Sequence, residues 1–411
     1  MNSIGPERQR NAALWMLGLF FCFSADVQDG LGPFLGVRLQ ELGWTPEAIG
    51  WILTLPALFG LAFAPLLGAF TDRFRHKRGL LTVATLVVLC ASLASMTGNA
   101  PLVAASQIAS GIACAAFVPA STALILGLAS GLSLPMLLGR MEAAKHVGTC
   151  LAAALAGLIG LLGFGGLGTQ SAFYVMTFFG VVSLAALAGI SPRLIDDDAA
   201  RGLGDENVGA ESVREFFSDS ALFVFGLAVF FFHLGNAAML PLLGQAAVAR
   251  FGVDPSGATG ATIFLAQITM VAAALAGARL VRAKGYGIVV LIAFAVLFVR
   301  GLVAGFWSSA WAIVPVQILD GVGAGLMGVA TPGLVASLLS GTGRINLGLG
   351  SVLLMQGVGA GLSNALGGHA VQLWGYEGAF VALAAAPVVG LMVFLYGLRN
   401  RRMREAVGKT H

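Results

Sequence analysis

Residues 68–79 read Gly-Ala-Phe-Thr-Asp-Arg-Phe-Arg-His-Lys-Arg-Gly, and the fold is decided there. An apolar run ends at Gly68, Asp72 and Arg73 follow, and Arg75, His76, Lys77 and Arg78 come next. A second long apolar run starts at Gly79. The pattern is a tight basic hairpin between two membrane spans. A glycine at its entry admits close approach of another helix, and the cations place the hairpin on the cytoplasmic side.

Composition supports that reading. The 411 residues are 58% hydrophobic and only 10% charged, against roughly 25% charge in soluble proteins. So few charges cannot cover a water-soluble particle of this size, and the mean hydropathy is +0.90. The apolar runs last about 20 residues without period-2 alternation, which selects helices over a barrel. Twelve such runs are predicted, at 12–37, 47–70, 79–97, 101–128, 139–162, 171–190, 218–242, 258–281, 287–306, 311–337, 345–366 and 376–398. The first is not followed by a small-residue cleavage site and reads as a retained span. Cys22, Cys90, Cys114 and Cys150 all lie inside apolar runs, without paired spacing, and read as small buried hydrophobes.

The one long polar stretch, with Asp196-Asp197-Asp198 and Asp205-Glu206, divides the chain near its middle. The predicted organisation is a six-helix bundle over 1–190, a cytoplasmic linker over 191–217, and a second six-helix bundle with a short basic tail over 218–411. With the N-terminus inside, 20 of the 23 Lys and Arg fall on inside loops and ends, and only Arg38, Arg250 and Arg300 fall at outside ends. Both termini are therefore expected in the cytoplasm, the membrane being the inner one. The halves also repeat each other. Gly43-Trp44-Thr45-Pro46 is echoed by Gly252-Val253-Asp254-Pro255, each a helix cap followed by proline in the first turn. Pro33 to Gly36 matches Pro241 to Gly244, Gly68 matches Gly277, Gln107 with Gly111 matches Gln317 with Gly321, and Gly139-Arg140 matches Gly343-Arg344. All five pairs are 204–210 residues apart and in the same order, the mark of parallel repeats.

The order of small residue, Asp, Arg and basic cluster resembles the loop between helices 2 and 3 of the major facilitator superfamily. Gly68, Asp72, Arg73 and Lys77 fill matching places, while Arg75 stands where the family usually has a second glycine. Together with the repeat, the resemblance spans nearly the whole chain. It implies an all-α protein of twelve transmembrane helices in two bundles around a central cavity. Spans 1, 4, 7 and 10 would line the cavity, and spans 2, 5, 8 and 11 would form the interface that rocks during alternating access. Many proton-coupled members carry arginine where Gln107 stands and glutamine where Ser110 stands, and drug antiporters show a Gly-Pro pair in span 5; this chain has neither feature.

A polar or charged group within a span costs about 2.5–3.5 kcal/mol at the centre, so each one invites a reason. Asp26 and Asp29 are three apart on span 1 and share a face, with Gln28 between them. They read as a protonatable pair, or as a carboxylate that caps or pairs with a neighbouring helix. On span 10, Asp320 follows Gln317 by one turn and is the second candidate acid, with a structural hydrogen bond as the alternative. Gln107 is its span 4 counterpart. His233 and Asn236 share a face of span 7, where His can titrate and Asn can bond a substrate both ways, though a lone membrane His more often holds helices together.

Arg140, Glu142 and Lys145 open span 5 and read as a gate or anchor, with Glu142 and Lys145 spaced to pair. Gly68, Asp72, Arg73 and Lys77 complete the gate. Asp72 and Arg73 are expected to hold the cytoplasmic side of the outward-facing state. Gln267, Gln356 and Asn364 read as links between helices, and Gly148, Gly157 and Gly160 as sites of close packing.

No phosphate-binding loop, zinc spacing or nucleophile elbow is present, so an enzyme and an ATP-driven pump are excluded. The reading that remains is a monomeric secondary transporter of a small organic solute, coupled to protons and directed to efflux. It needs no cofactor and binds no nucleic acid. Uptake by symport or facilitated diffusion is the alternative, followed by a membrane solute sensor, for which the tail and linker are short.

Overall fold

In a computed structural model the described residues are 6–29, 32–74, 76–128, 134–196, 219–307, 309–340, 342 and 345–408. Long helices fill them, and no strand occurs among them. In chain order they are α1 (Pro6–Asp29), α2 (Gly32–Glu41), α3 (Pro46–Arg73), α4 (Lys77–Ser95), α5 (Ala100–Leu128), α6 (Leu134–Leu161) and α7 (Gln170–Ala188). The second half holds α8 (Ser220–Asn236), α9 (Met239–Phe251), α10 (Pro255–Lys284), α11 (Tyr286–Phe306), α12 (Ile313–Leu338), α13 (Ile345–Gly397) and the short tail helix α14 (Arg401–Val407).

Ten helical stretches among the described residues, α8 and α9 counted as one, are long and apolar enough to cross a membrane. The first span takes in α1 and α2, and α13 crosses twice, turning at Gly375 (φ 70°, ψ 179°). Twelve crossings result. Span 1 reaches Glu41 and span 7 reaches Phe251, well past the expected ends at 37 and 242. Span 7 is an interrupted helix, α8 giving way to α9 just before Pro241, where proline removes a backbone donor.

The helix starts bear out the repeat. Thr45 Oγ1 accepts from the Ala48 amide at 3.3 Å ahead of Pro46, and Asp254 Oδ1 accepts from the Gly257 amide at 2.6 Å ahead of Pro255. Gly43 and Gly252 both take positive φ, 82° and 60°, to make the preceding turn. Further in, a Cβ on Gly111 would strike the Pro56 carbonyl, and one on Gly321 would strike Ala266. Span 4 thus presses on span 2 as span 10 presses on span 8.

Each half has its own main core. One buried cluster, including Phe20, Phe117 and Leu124, lies wholly within the first half. Another, including Phe225, Phe232, Phe294 and Phe394, lies wholly within the second. Leu66, Phe178, Leu275 and Trp374 are exposed on the perimeter, as lipid contact requires. The basic hairpin is tied down locally: Lys77 is buried and its ammonium donates to the Thr71 carbonyl, and Arg78 donates to the Leu187 and Ala188 carbonyls at 3.1 and 3.0 Å. Arg78 thereby satisfies the open C-terminus of α7.

The halves meet through span 2 against span 11 and span 5 against span 8, the pairs the resemblance implied. Two glycine contacts repeat: a Cβ added to Gly50 would come within 3.0 Å of the Gly368 Cα, and one added to Gly157 within 3.1 Å of the Gly260 Cα. Gly160 presses on Ser256 close by, and Gly148 packs on the Cys22 carbonyl within the first half, so close packing does account for these span 5 glycines. Gly50 and Gly368 lie near the distal end, the end remote from the two chain termini. At the terminal end, a Cβ on Gly68, Gly139 or Gly350 would meet nothing within 4 Å. Among the described residues, no close approach of another helix is found at Gly68. The linker expected at 191–217 lies mostly outside the described residues; Pro192–Leu194 form a single 3-10 turn at its start.

Candidate functional site

Between the halves lies a cavity of about 510 Å³. Spans 2 and 4 of the first half contribute Leu53, Pro56, Gln107 and Cys114, and spans 7 and 11 of the second contribute Leu240, Gly361 and Asn364. Spans 3 and 6 add Ser92, Ser95 and Met176, so a recess runs into the first bundle behind span 4. No charged side chain lines the cavity among the described residues.

Hydrogen bonds close it on the distal side. Gln40 Nε2 donates to the Gln245 carbonyl and to the Tyr376 hydroxyl, both at 3.1 Å, and His369 meets Glu47 at 3.2 Å. At mid-depth Thr54 donates to the Gly361 carbonyl at 2.9 Å, and Asn364 donates to the Leu53 carbonyl at 3.5 Å. His146 and Gln267 pair at 2.9 Å across spans 5 and 8. The linking role expected of Gln267 and Asn364 is borne out. Among the described residues, the bonds that join the halves around the cavity thus lie at the distal end and at mid-depth.

The sequence-derived candidates fall into separate groups. Gln107 lines the cavity and donates from Nε2 to Ser95 Oγ at 3.0 Å; Ser95 in turn pairs with Ser106 Oγ at 2.6 Å. Asn236, Gln317 and Asp320 converge elsewhere, inside the second bundle, on a residue assigned above to an outside end. Arg300 is fully buried. Its Nη1 donates to Asn236 Oδ1 at 2.6 Å and lies 3.0 Å from Asp320 Oδ1, and its Nη2 donates to Gln317 Oε1 at 3.3 Å. Gln317 Nε2 donates onward to the Thr262 carbonyl at 3.1 Å, so spans 7, 8, 9 and 10 share one network. Counting Arg300 as an outside-end cation is corrected. It lies six residues before the end of α11, where Asp320 of α12 supplies a buried counter-charge. One signal could have found it: an arginine inside an apolar run requires an acid within reach, and span 10 offers a single one.

His233 does not join that network; its Nδ1 sits 3.0 Å from the Val229 carbonyl of its own helix. At the terminal end Arg140 and Glu142 are exposed, and Glu142 faces His146 at 3.7 Å. The side chains of Asp26, Gln28, Asp29, Asp72 and Arg73 lie outside the described residues, although their backbones are helical.

Two bundles of like internal packing, meeting through spans 2, 5, 8 and 11 around a cavity, form a recognisable architecture, and the Major Facilitator Superfamily family model matches residues 14–299. The chain belongs to the major facilitator superfamily. An uncharacterised MFS-type transporter of Mycobacterium tuberculosis is 32% identical over 380 residues, covering 91% of this chain and 90% of the relative. The raffinose permease of Escherichia coli is 31% identical over 90 residues, 22% of this chain and 21% of that one. Among solved structures, the nucleoside transporter NupG superposes with a TM-score of 0.74 at 14% identity, covering 96% of this chain and 100% of that one. A bacterial homologue of the human lysosomal transporter Spinster, inward-facing and unoccupied, also gives 0.74 at 14% identity, covering 99% and 100%. A D-xylose-proton symporter gives 0.70 at 14% identity, covering 98% and 99%. This major facilitator protein is thus an integral, multi-pass membrane transporter, not an enzyme.

Proposed function

We propose that this protein is a proton-coupled secondary transporter that exports a small uncharged organic solute by alternating access. The observation that carries the reading is the cavity between two repeat-related halves, bonded across its distal side, together with a buried Arg300–Asp320 pair inside the second half. Lys and Arg placement puts the terminal end in the cytoplasm, which makes this the inward-facing state. Residues 1–190 and 218–411 would be the moving bodies, with 191–217 as the tether and one chain as the working unit.

Asp320 is the proton site of this mechanism. Protonation removes the counter-charge of Arg300, leaving the guanidinium held by Asn236 and Gln317 alone. That redistributes charge across spans 7, 9 and 10 and biases the two states against each other. Gln107 contacts the solute, and Asp26, Gln28, Asp29 and His233 remain candidates on the walls of spans 1 and 7. Gly68, Asp72, Arg73, Lys77, Arg140 and Glu142 would form the gate that closes at the terminal end when the distal end opens. An uncharged, largely apolar lining supports export. Uptake by symport is the second reading, favoured by the D-xylose-proton symporter among the structures alike in fold.

Spin-label pairs across the two ends of the purified protein test the coupling without a known solute. Acid and alkaline pH are expected to give different distance populations in the wild type and a single pH-independent one in Asp320→Asn. Identical pH responses in the two proteins would remove Asp320 from the mechanism. Proteoliposomes with an imposed pH gradient then give direction: export accumulates solute on the acidic side, and symport drives it out of that side.

A further inference from the structure

Span 8 carries an exposed stripe that changes character near its terminal end. Phe264, Ile268 and Leu275 are exposed, and spacings of four and seven put them on one face of α10. Arg279 and Arg282 extend that face by four and then three residues, and both are exposed. The opposite side of the helix is packed: Gly321 of span 10 presses on Ala266, Gly325 presses on Ala273, and Gly277 lies against Leu326. The stripe therefore faces the bilayer, with apolar side chains at acyl-chain depth and guanidinium groups beyond them.

Helix length agrees with that placement. α10 has 30 residues, about 45 Å of helix against a hydrocarbon core of about 30 Å, so its last turns reach the headgroups. Among the described residues neither arginine has a hydrogen bond or a counter-ion, and the exposed Lys284 that ends the helix has none either. The tail helix α14 abuts this end, since a Cβ on Gly285 would come within 2.5 Å of the Val407 carbonyl oxygen. Its one carboxylate, Glu405, is held by Arg401 at 2.7 Å.

The first half lacks this feature. Gly68 matches Gly277, which sets Phe70 opposite Arg279. Phe70 is exposed and stacks on Phe74 with ring centroids 5.2 Å apart, so span 2 keeps an apolar outer surface there. Cations of the adjoining hairpin turn inward instead, Lys77 onto the Thr71 carbonyl and Arg78 onto the end of α7. An excess of cations at an inside end follows from topology alone. Two unpaired arginines in register with a lipid-facing stripe do not.

We propose that Arg279 and Arg282 form a binding surface for the headgroup of an anionic phospholipid of the cytoplasmic leaflet, with its acyl chains along Ile268 and Leu275. Arginine binds phosphate oxygens through paired N–H donors, and its long stem carries the charge to headgroup level from a lipid-facing Cα. A zwitterionic lipid offers the same phosphate but offsets it with its own ammonium, so the preference is for net negative charge. The inference uses the orientation of the chain in the membrane and nothing from the transport cycle.

The experiment measures lipid binding to the purified full-length protein by native mass spectrometry, titrating dioleoylphosphatidylglycerol and dioleoylphosphatidylcholine separately. Phosphatidylglycerol is expected to bind at least tenfold more tightly. Each cation at an anionic surface counts for roughly fivefold. Arg279→Gln/Arg282→Gln should therefore weaken phosphatidylglycerol roughly tenfold to thirtyfold and leave phosphatidylcholine unchanged. Arg8→Gln/Arg193→Gln removes the same charge from two exposed positions of the first half and should change neither lipid by more than about twofold. Glycerol 3-phosphate, which has the phosphate without acyl chains, should not displace phosphatidylglycerol.

Equal affinity for the two lipids would overturn the surface, as would unchanged phosphatidylglycerol binding in Arg279→Gln/Arg282→Gln. An equal loss in the two double variants would mean that the charge of the whole terminal end attracts the lipid and that the stripe is no site. Displacement by glycerol 3-phosphate would assign the arginines to a soluble phosphate and sink the lipid reading. If the double variant fails to fold, Arg279→Phe, which copies the other half, keeps the test decisive. It should weaken phosphatidylglycerol roughly fivefold on its own, and unchanged affinity there would reject the surface.

Discussion

Gln107 and Gln317 occupy the same place in the two halves and have opposite surroundings. Gln317 is buried and held by a guanidinium with a carboxylate beside it, whereas Gln107 faces a cavity and leans on a serine. Repeat architecture alone does not decide which half holds charge and which holds space. What each glutamine meets does: the Ser95 hydroxyl in the first half, and Arg300 with Asp320 beside it in the second. The lesson is a division of labour, with a sealed polar network in one bundle and a solvent-reachable polar wall in the other.

Removing one member of the ion pair should have the largest effect. Asp320→Asn leaves Arg300 fully buried without its counter-charge, and breaking such a pair costs about 3–5 kcal/mol. A melting temperature many degrees lower in detergent is the expected result. The paired replacement Arg300→Met/Asp320→Leu should recover most of that loss, since apolar groups of similar volume remove the uncompensated charge. If the single and double variants melt alike, the network is not the electrostatic lock described here. Ser95→Ala in the first half is the uncharged control: it removes a hydroxyl bonded to Ala91, Ser106 and Gln107, at about 0.5–1.5 kcal/mol per bond, and leaves no buried charge behind.

The two glycine contacts offer the next comparison. Gly50 with Gly368 and Gly157 with Gly260 stand in matching positions of the repeat, so Gly50→Leu and Gly260→Leu should act alike. Overpacking costs about 1–3 kcal/mol, and each 1.4 kcal/mol is tenfold in an equilibrium. Spin-label distances across the distal loops should lengthen in both variants. Gly68→Ala at the terminal end meets open space and should leave this state unchanged. Lengthening in only one of the two interface variants would show that the pseudo-symmetry seen in the backbone is not energetic.

Much of the fold was legible in the sequence, because membrane spanning is written in composition and the repeat in punctuation. Thr45-Pro46 and Asp254-Pro255 marked helix starts that the structure places as caps, and Gln107 and Gln317 marked the register. The site was less legible, for a physical reason. Asn236, Gln317 and Asp320 stand out as polar residues within apolar runs, but nothing local says whether such a residue faces a cavity or a partner. The deciding partner, Arg300, comes from a different helix and looked like an ordinary loop-side cation. Ser95 was invisible, since serine in a span is common and carries meaning only once Gln107 is placed beside it. Span 1 and span 7 ran longer than hydropathy indicated because their distal ends carry Arg38, Glu41 and Arg250, which anchor a helix at the interface without ending it.

The smallest effect is expected at the distal rim, where the comparison between halves is carried by exposed charges. Glu47 and His369 join span 2 to span 11 at 3.2 Å with both side chains about half exposed. Arg250 and Glu377 meet at 2.9 Å but belong to the same half. Exposed pairs contribute roughly 0.2–1 kcal/mol, so neither Glu47→Gln nor Glu377→Gln should shift the melting temperature by more than a degree or two. They should still differ in kind. Only the first pair bridges bodies that separate when the distal end opens, so Glu47→Gln should raise the distal-open population up to about fivefold and lose that effect in high salt. Glu377→Gln should leave the population where it was. A population shift from Glu377→Gln as large as that from Glu47→Gln would mean that rim charge in general, and not contact across the halves, sets the balance.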